Sequence, residues 1–354
     1  MNYSINHQKY NDESILEFAR NLSSSALDWE IELGSFLLTW FNDDDYMEVQ
    51  TSGSTGEPKR ISLPKASMIE SAKRTAEFFR VDRNSNVLLC LPVKFIAGKM
   101  VVIRSLVNGW NLIMQKPSLD PLEGLKDKIH FSSFTPMQVA IMIDQNPNRF
   151  GSIDKLLIGG APLPPTLESA LSIFQNEMYV TYGMTETITH VAVRKLNSVN
   201  TLYTALPGVS FTTDHDQCLI IQASHLPGSI ETNDVVNLIS ATQFELLGRR
   251  DNVINSGGIK IHPEKIEALI GEDITQPFFV IGKKDELLGE KLILYIEGGQ
   301  MNQDKLDSSI EKWKHIVGEY ELPREIVMVK KFERTSTDKI IRRHYDGVKV
   351  YGKN

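Results

Sequence analysis

Cysteine is scarce: the 354 residues contain two, Cys90 and Cys218, each inside an apolar run. At most one bridge can form, so the chain is no disulfide framework, and no cysteine metal spacing exists. Two buried thiols fit a reducing, cytoplasmic compartment. The eight histidines are scattered, without a His-Glu-x-x-His or His-x-His pair, which argues against a zinc centre. No apolar run approaches the ~20 residues of a membrane span, and the N-terminus MNYSINHQKYNDES lacks the apolar core of a signal peptide. A basic excess is also missing: 38 Lys and Arg stand against 45 Asp and Glu, a formal charge of −7, which speaks against nucleic acid as a partner. The locally basic residues Lys330, Lys331, Arg342 and Arg343 read as a solvated face. Internal repeats and low-complexity tracts are absent. With 41% hydrophobic residues the chain can bury a sizeable core, and its length suits two or three domains.

The pattern present is alternation. Residues 1–50 read as helical and acidic, with amphipathic stretches at 15–22 and 31–41. A short strand at 47–51 runs into a Gly/Ser/Thr loop. Apolar residues at helical spacing over 64–79 and 97–107 flank a continuous apolar run at 86–93, the mark of a parallel strand buried on both faces. Short runs at 129–134, 155–159 and 178–181 alternate with helical segments at 136–145 and 165–175, implying a mostly parallel sheet. After about residue 210 short strands follow at 217–222, 235–239 and 244–248. From 252 a compact mixed unit begins, with a helix at 263–270, strands at 277–282 and 291–296, a helix at 303–317, a strand at 326–332 and a last helix after Asp338. The expected division is an N-terminal domain over 1–247, a hinge at 248–252 and a C-terminal domain over 253–354.

The densest chemistry lies in Thr51-Ser52-Gly53-Ser54-Thr55-Gly56-Glu57-Pro58-Lys59. Hydroxyls and glycines let such a loop wrap phosphate oxygens closely, with Lys59 adding charge. Composition alone leaves it open between a polar turn and a phosphate cradle. It is not a Walker A loop, because Pro58 stands where that loop needs glycine. The spacing resembles the phosphate-loop signature of the adenylate-forming enzymes: acyl-CoA synthetases, luciferases and peptide-synthetase adenylation domains. Three further stretches resemble that family's motifs in its order. They are Tyr182-Gly183-Met184-Thr185-Glu186, Gly248-Arg249-Arg250-Asp251 followed by Ser256-Gly257-Gly258 and Glu264, and Arg334-Thr335-Ser336-Thr337-Asp338-Lys339.

The resemblance covers the chain from about residue 47 onward. It implies an α/β fold with a large N-terminal domain of mainly parallel sheets and helices, shortened at its start, and a small mobile α+β C-terminal domain. It implies ATP, Mg²⁺ and coenzyme A as cofactor and co-substrates. Glu186 would hold Mg²⁺, a hard cation that takes carboxylate and phosphate oxygens. Thr185 would bond the adenylate phosphate. Asp234 and Arg249 would meet the ribose, and Gly159-Gly160-Ala161-Pro162 would flank the adenine. Lys339 would reach the substrate carboxylate and α-phosphate. Asp251 would be the pivot, and Gly257 and Gly258 would line the thiol passage. Asn233 stands where the family has glycine and is expected to keep that turn in the left-handed backbone asparagine tolerates. Glu333 and Asp338 depart from the usual proline and glycine.

The segment from Leu91-Pro92 through Phe95, Gly98 and Arg104 begins the region where the family places its acyl pocket. Ala97, Met100 and Arg104 share a helix face, and a charge on an otherwise apolar face needs a partner. This segment, with Thr187-Ile188-Thr189, resembles the o-succinylbenzoate–CoA ligases of menaquinone synthesis. There, a basic residue at this spacing meets the succinyl carboxylate and Thr189 lines the ring pocket. The expected partners are thus an aromatic carboxylic acid, ATP and CoA, without nucleic acid or membrane insertion.

Overall fold

A computed structural model describes residues 2–50, 60–197, 201–298, 303–335 and 340–352. The readings on Thr51, Ser52, Gly53, Ser54, Thr55, Gly56, Lys59 and Lys339 lie outside the described residues. The chain opens not as helix but as a hairpin, Tyr3–Ile5 with Gln8–Tyr10. Its turn residues Asn6 and His7 both have positive φ, 47° and 65°, the geometry a two-residue hairpin needs. Helix Asp12–Ser23 then starts on a reciprocal cap. The Asn11 side chain accepts from the Ser14 N–H at 2.8 Å, and the Ser14 hydroxyl accepts from the Asn11 N–H at 2.9 Å. Helix Asp28–Trp40 and a separate antiparallel pair, Tyr46–Gln50 with Arg60–Pro64, complete this region.

The centre is one continuous sheet of thirteen strands. Its parallel part runs Glu177–Gly183, Lys155–Ile158, Phe131–Phe134, Asn86–Leu89, Asn111–Met114 and Tyr3–Ile5. These strands alternate between two buried faces. Val87, Leu89 and Leu157 join the core under helices Lys65–Phe79 and Ile96–Asn108. Leu88, Leu156 and Ile158 join the core under helices Pro136–Gln145 and Pro165–Leu171. Burial on both faces is what makes parallel strands read as unbroken apolar runs. From Glu177–Gly183 the sheet continues antiparallel through His190–Lys195, Tyr203–Ala205, Gln243–Arg249, Ile230–Ser240, Cys218–Ala223 and Val209–Thr213.

A second, six-stranded sheet begins at Ile254–Ser256 and has its own core of Ile266, Leu292, Leu294, Leu306 and Trp313. Helices Pro263–Ile270 and Gln303–Ile316 belong to this part. Strands Phe278–Asp285 and Gly289–Glu297 pair over eight positions, and Glu325–Val329 runs parallel to the latter. The expected last helix is absent. Residues Val348–Gly352 form a strand antiparallel to Glu325–Val329, because β-branched Val348 and Val350 alternate there and a sheet edge is open to pair. Arg342 is likewise no solvated cation. It makes a two-pronged ion pair with Glu267, at 2.7 and 2.6 Å, and lies over the Phe279 ring. Burial pushes the Glu267 carboxyl up, and Arg342 pulls against that shift.

The two sheets meet where Gly248 faces helix Pro263–Ile270. A Cβ on Gly248 would lie 2.3 Å from Glu264 Oε2, so any side chain there would displace the Glu264 carboxylate. Glu264 also accepts from the Asn252 side chain at 2.5 Å. A second contact sets Gly271 against Pro165.

Candidate active site

In an open α/β sheet, ligands bind outside the carboxyl ends of the parallel strands. Two such ends carry the singled-out motifs. Strand Lys155–Ile158 runs into Gly159-Gly160, where a Cβ on Gly159 would lie 2.1 Å from Thr181 Oγ1 and Gly160 has φ +86°. Ala161 and Pro162 are exposed beyond them. Strand Glu177–Gly183 ends in a tight reversal. A Cβ on Gly183 would lie 2.3 Å from the Thr189 carbonyl, so the motif's glycine permits the chain to return over itself. Thr187 fixes the turn: its hydroxyl accepts from the Met184 N–H at 2.9 Å and donates to the Thr189 carbonyl at 2.8 Å. Ile188 is held at φ +71°, a costly conformation for a β-branched residue that surrounding contacts must enforce. The reversal buries Thr185 and leaves Glu186 exposed.

Beside this turn the Tyr182 hydroxyl donates to Asp234 Oδ2 at 2.6 Å. Burial, reinforced by Asp234, pushes that phenol well above its ordinary range. Asp234 and Arg249 are register partners on adjacent strands. The guanidinium lies 3.6 Å from Asp234 Oδ1 and donates to Asp251 Oδ2 at 2.9 Å. Tyr182, which precedes Gly183 and the turn carrying Thr185 and Glu186, is thus linked through Asp234 to Arg249 and Asp251, and Gly159 abuts the same strand at Thr181. The left-handed turn expected at Asn233 is not there. Asn233 lies inside strand Ile230–Ser240, outside the positive-φ residues, and accepts from Arg250 at 2.6 Å. Ladder pairing begins at the next residue, Asp234 with Arg249, and continues the strand from there.

Glu186 has no hydrogen-bond or ion-pair partner among the described residues, so its carboxylate is free for a hard cation. No group of three or more His, Cys, Asp or Glu there could hold a metal alone. The donor set thus fits a Mg²⁺ completed by nucleotide oxygens.

Across the turn lies Arg104, 2% exposed on helix Ile96–Asn108. Its Nη2 donates to Thr189 Oγ1 at 2.7 Å and lies 3.3 Å from His190 Nδ1, while its Nε is buried without a partner. No carboxylate pairs with it among the described residues. Burial pulls its pKa down to about 9, which still leaves it cationic at neutral pH. Ala97 is exposed on the same helix face as Arg104, so this face runs from solvent to the buried charge. Phe95 is half-buried at the helix start beneath Lys94. Gly98 has a packing reason: a Cβ would lie 2.4 Å from the Pro92 carbonyl.

Gly257 and Gly258 lie on the C-terminal unit, at φ +59° and +82°, between strands Ile254–Ser256 and Ile259–Ile261. Both central residues of this hairpin turn are left-handed, which glycine supplies without strain. Glu333 also finds an explanation: its N–H donates to the Tyr345 hydroxyl at 3.2 Å and its carboxylate pairs with Arg343. Proline has no N–H to donate.

Sequence reading missed His190, whose only trace is one polar ring within an apolar strand. Burial, with Arg104 adding to it, holds His190 well below the ordinary imidazole value of 6.5, and burial beside Arg74 takes His225 down to about 4. Both are therefore neutral in the folded protein at pH 7, whereas the unfolded chain takes up their protons near 6.5. The unfolded state binds more protons below that pH, so stability is fully present above it and is lost as pH falls from 6.5 towards 4. The slope reaches up to about 1.4 kcal/mol per pH unit for each histidine. Thermal melts at constant ionic strength check this; a midpoint that does not fall in that window contradicts it.

A family model described as AMP-binding enzyme matches residues 39–217, half of the chain. A crystal structure of an acyl-CoA synthetase (AMP-forming)/AMP-acid ligase II-like protein from Dyadobacter fermentans is 33% identical. Its alignment covers 92% of this chain and 95% of that one, with a TM-score of 0.62. The 2-succinylbenzoate–CoA ligase of Staphylococcus epidermidis is 25% identical over 83% of this chain and 68% of its own length. The o-succinylbenzoate CoA synthetase of Bacillus subtilis, solved with its acyl-adenylate intermediate, shares the fold at a TM-score of 0.73 and 20% identity. That alignment covers 85% of this chain and 69% of the synthetase. The chain belongs to the AMP-binding, adenylate-forming enzyme family.

Proposed function

We propose that the protein is an ATP-dependent acid–CoA ligase of the cytoplasm whose acid is 2-succinylbenzoate. The observation that carries the substrate is Arg104, a buried guanidinium without a counter-charge among the described residues, bonded to Thr189 beside the nucleotide-directed turn. An acid with two carboxylates presents one for activation and one for this cation.

In the first step a carboxylate oxygen attacks the α-phosphorus of ATP. The bond to the β-phosphate bridging oxygen breaks, and pyrophosphate leaves. Negative charge gathers on both reactants, so preorganised donors and cations matter more than a base. Thr185 and Lys339 bind the reacting phosphate and carboxylate, and Glu186 would hold a Mg²⁺, which would supply positive charge to the phosphate oxygens. Asp234 accepts from the ribose hydroxyls, held by Tyr182, and the 51–59 loop donates to the phosphates. In the second step the CoA sulfur attacks the acyl carbon, its proton passes to solvent and AMP leaves. Residues 253–354 turn about Asp251 between the steps, so that Gly257 and Gly258 replace the lysine.

ATP–pyrophosphate exchange over a panel of acids tests this reading. Exchange with 2-succinylbenzoate and little with benzoate is expected. Exchange with no acid would leave a non-catalytic nucleotide-binding module. Lys339→Ala is expected to lose exchange yet still make thioester from supplied acyl-adenylate. Equal loss of both half-reactions would refute the alternating use of the C-terminal unit.

A further inference from the structure

The surroundings of Arg104 define the state of a second residue. His190 is 7% exposed on strand His190–Lys195, and its Nε2 lies 3.3 Å from Thr75 Oγ1 on helix Lys65–Phe79. The Thr75 hydroxyl has one proton, and it donates that proton to the Ser71 carbonyl at 3.1 Å. Thr75 can therefore only accept from the imidazole. Nε2 carries the hydrogen, and Nδ1 is left with a lone pair facing Arg104 Nη2 at 3.3 Å. The ring is further seated edge-on against Phe79, at 6.1 Å between centroids.

A carboxylate at this place would satisfy Arg104 and cancel its charge. An apolar residue would leave the guanidinium without a second anchor. A neutral imidazole does neither. We propose that His190 is a positioning residue for acid selection: it holds the Arg104 guanidinium beside Thr189 without neutralising it, leaving the positive charge to the substrate's additional carboxylate. The depressed basicity of His190 agrees, since a protonated ring would set two cations against each other. This inference rests on the proposed reading of Arg104 as the acid's second contact.

The test compares wild type, His190→Asn, His190→Leu and His190→Asp by exchange kinetics with 2-succinylbenzoate and its one-carboxylate analogues, 4-oxo-4-phenylbutanoate and 2-butanoylbenzoate. Asparagine places an acceptor oxygen where Nδ1 stands and is expected to keep KM for 2-succinylbenzoate within about threefold. Leucine and aspartate are each expected to raise it about tenfold or more, the weight of a bond to a charged group. In both, kcat changes far less than KM, a split that a general structural defect would not produce. Should the leucine variant not fold, the aspartate and asparagine pair decides alone. If wild type does not favour 2-succinylbenzoate over both analogues, the substrate reading itself fails, and this inference with it. If wild type does favour it while His190→Asp keeps that preference, the reading of Arg104 stands and the role of His190 is refuted.

Discussion

Glu186→Gln is expected to lower ATP–pyrophosphate exchange by on the order of 10²-fold or more, the loss that follows removal of one electrostatic clamp on a transferring phosphoryl group. The amide keeps the shape and one acceptor but loses the charge that holds a hard cation. Three features make this a clean experiment. Glu186 is exposed, so its replacement leaves the core untouched. No partner for its carboxylate exists among the described residues, so no internal ion pair is broken. The turn that presents it is fixed by Thr187 and Gly183, not by Glu186. Melting should be unchanged, and binding of the acid alone should hardly shift. Normal exchange at low Mg²⁺ would remove the metal role.

Arg104→Met is expected to stabilise the protein while destroying its choice of acid. A buried guanidinium without a counter-charge costs free energy that methionine, similar in length and apolar, does not. The gain should be about 1–4 kcal/mol, as when buried charges give way to apolar side chains of like volume. The preference for 2-succinylbenzoate over its one-carboxylate analogues should fall roughly ten- to hundredfold. The sign with pH follows from the depressed pKa of about 9 against 12.5 for the free group. Below 9 the folded protein carries the full cost. Above 9 the folded guanidinium releases its proton while the unfolded one keeps it, so the wild type recovers stability as pH rises. The difference in melting temperature between variant and wild type should therefore narrow above pH 9. A variant that melts lower than wild type at neutral pH would show that Arg104 is a structural anchor.

Four strands of the parallel part, Asn86–Leu89, Phe131–Phe134, Lys155–Ile158 and Glu177–Gly183, were legible as apolar runs, the clearest being the one buried on both faces at Val87, Leu88 and Leu89. Asn111–Met114 escaped although it is as short and as buried as those, while Tyr203–Ala205 and Val209–Thr213 escaped because Thr and Ser interrupt their apolar residues. The last helix was misread for a different reason: what orders Val348–Gly352 is an open edge supplied by distant residues 325–329. At the site, motif order located Tyr182, Asp234 and Arg249, which the fold brings into contact. It misjudged Asn233, which lies in a strand paired from Asp234 onward and binds Arg250 through its side chain. It missed His190, whose meaning comes only from Arg104 on one side and Thr75 on the other.

The hairpin turn at Gly257 and Gly258 has a consequence for how the molecule can be altered. Any L-residue at either place carries a left-handed penalty of roughly 1–2 kcal/mol, and at 257 a Cβ would also press on the Tyr320 ring at 2.9 Å. At 258 the direction of a Cβ is open, with no atom within 4 Å. At 258 the cost of an L side chain is therefore the backbone's alone, whereas at 257 backbone and crowding add. Alanine at 258 thus weighs the turn's preference for glycine by itself, while alanine at 257 weighs that preference and the crowding against Tyr320 together.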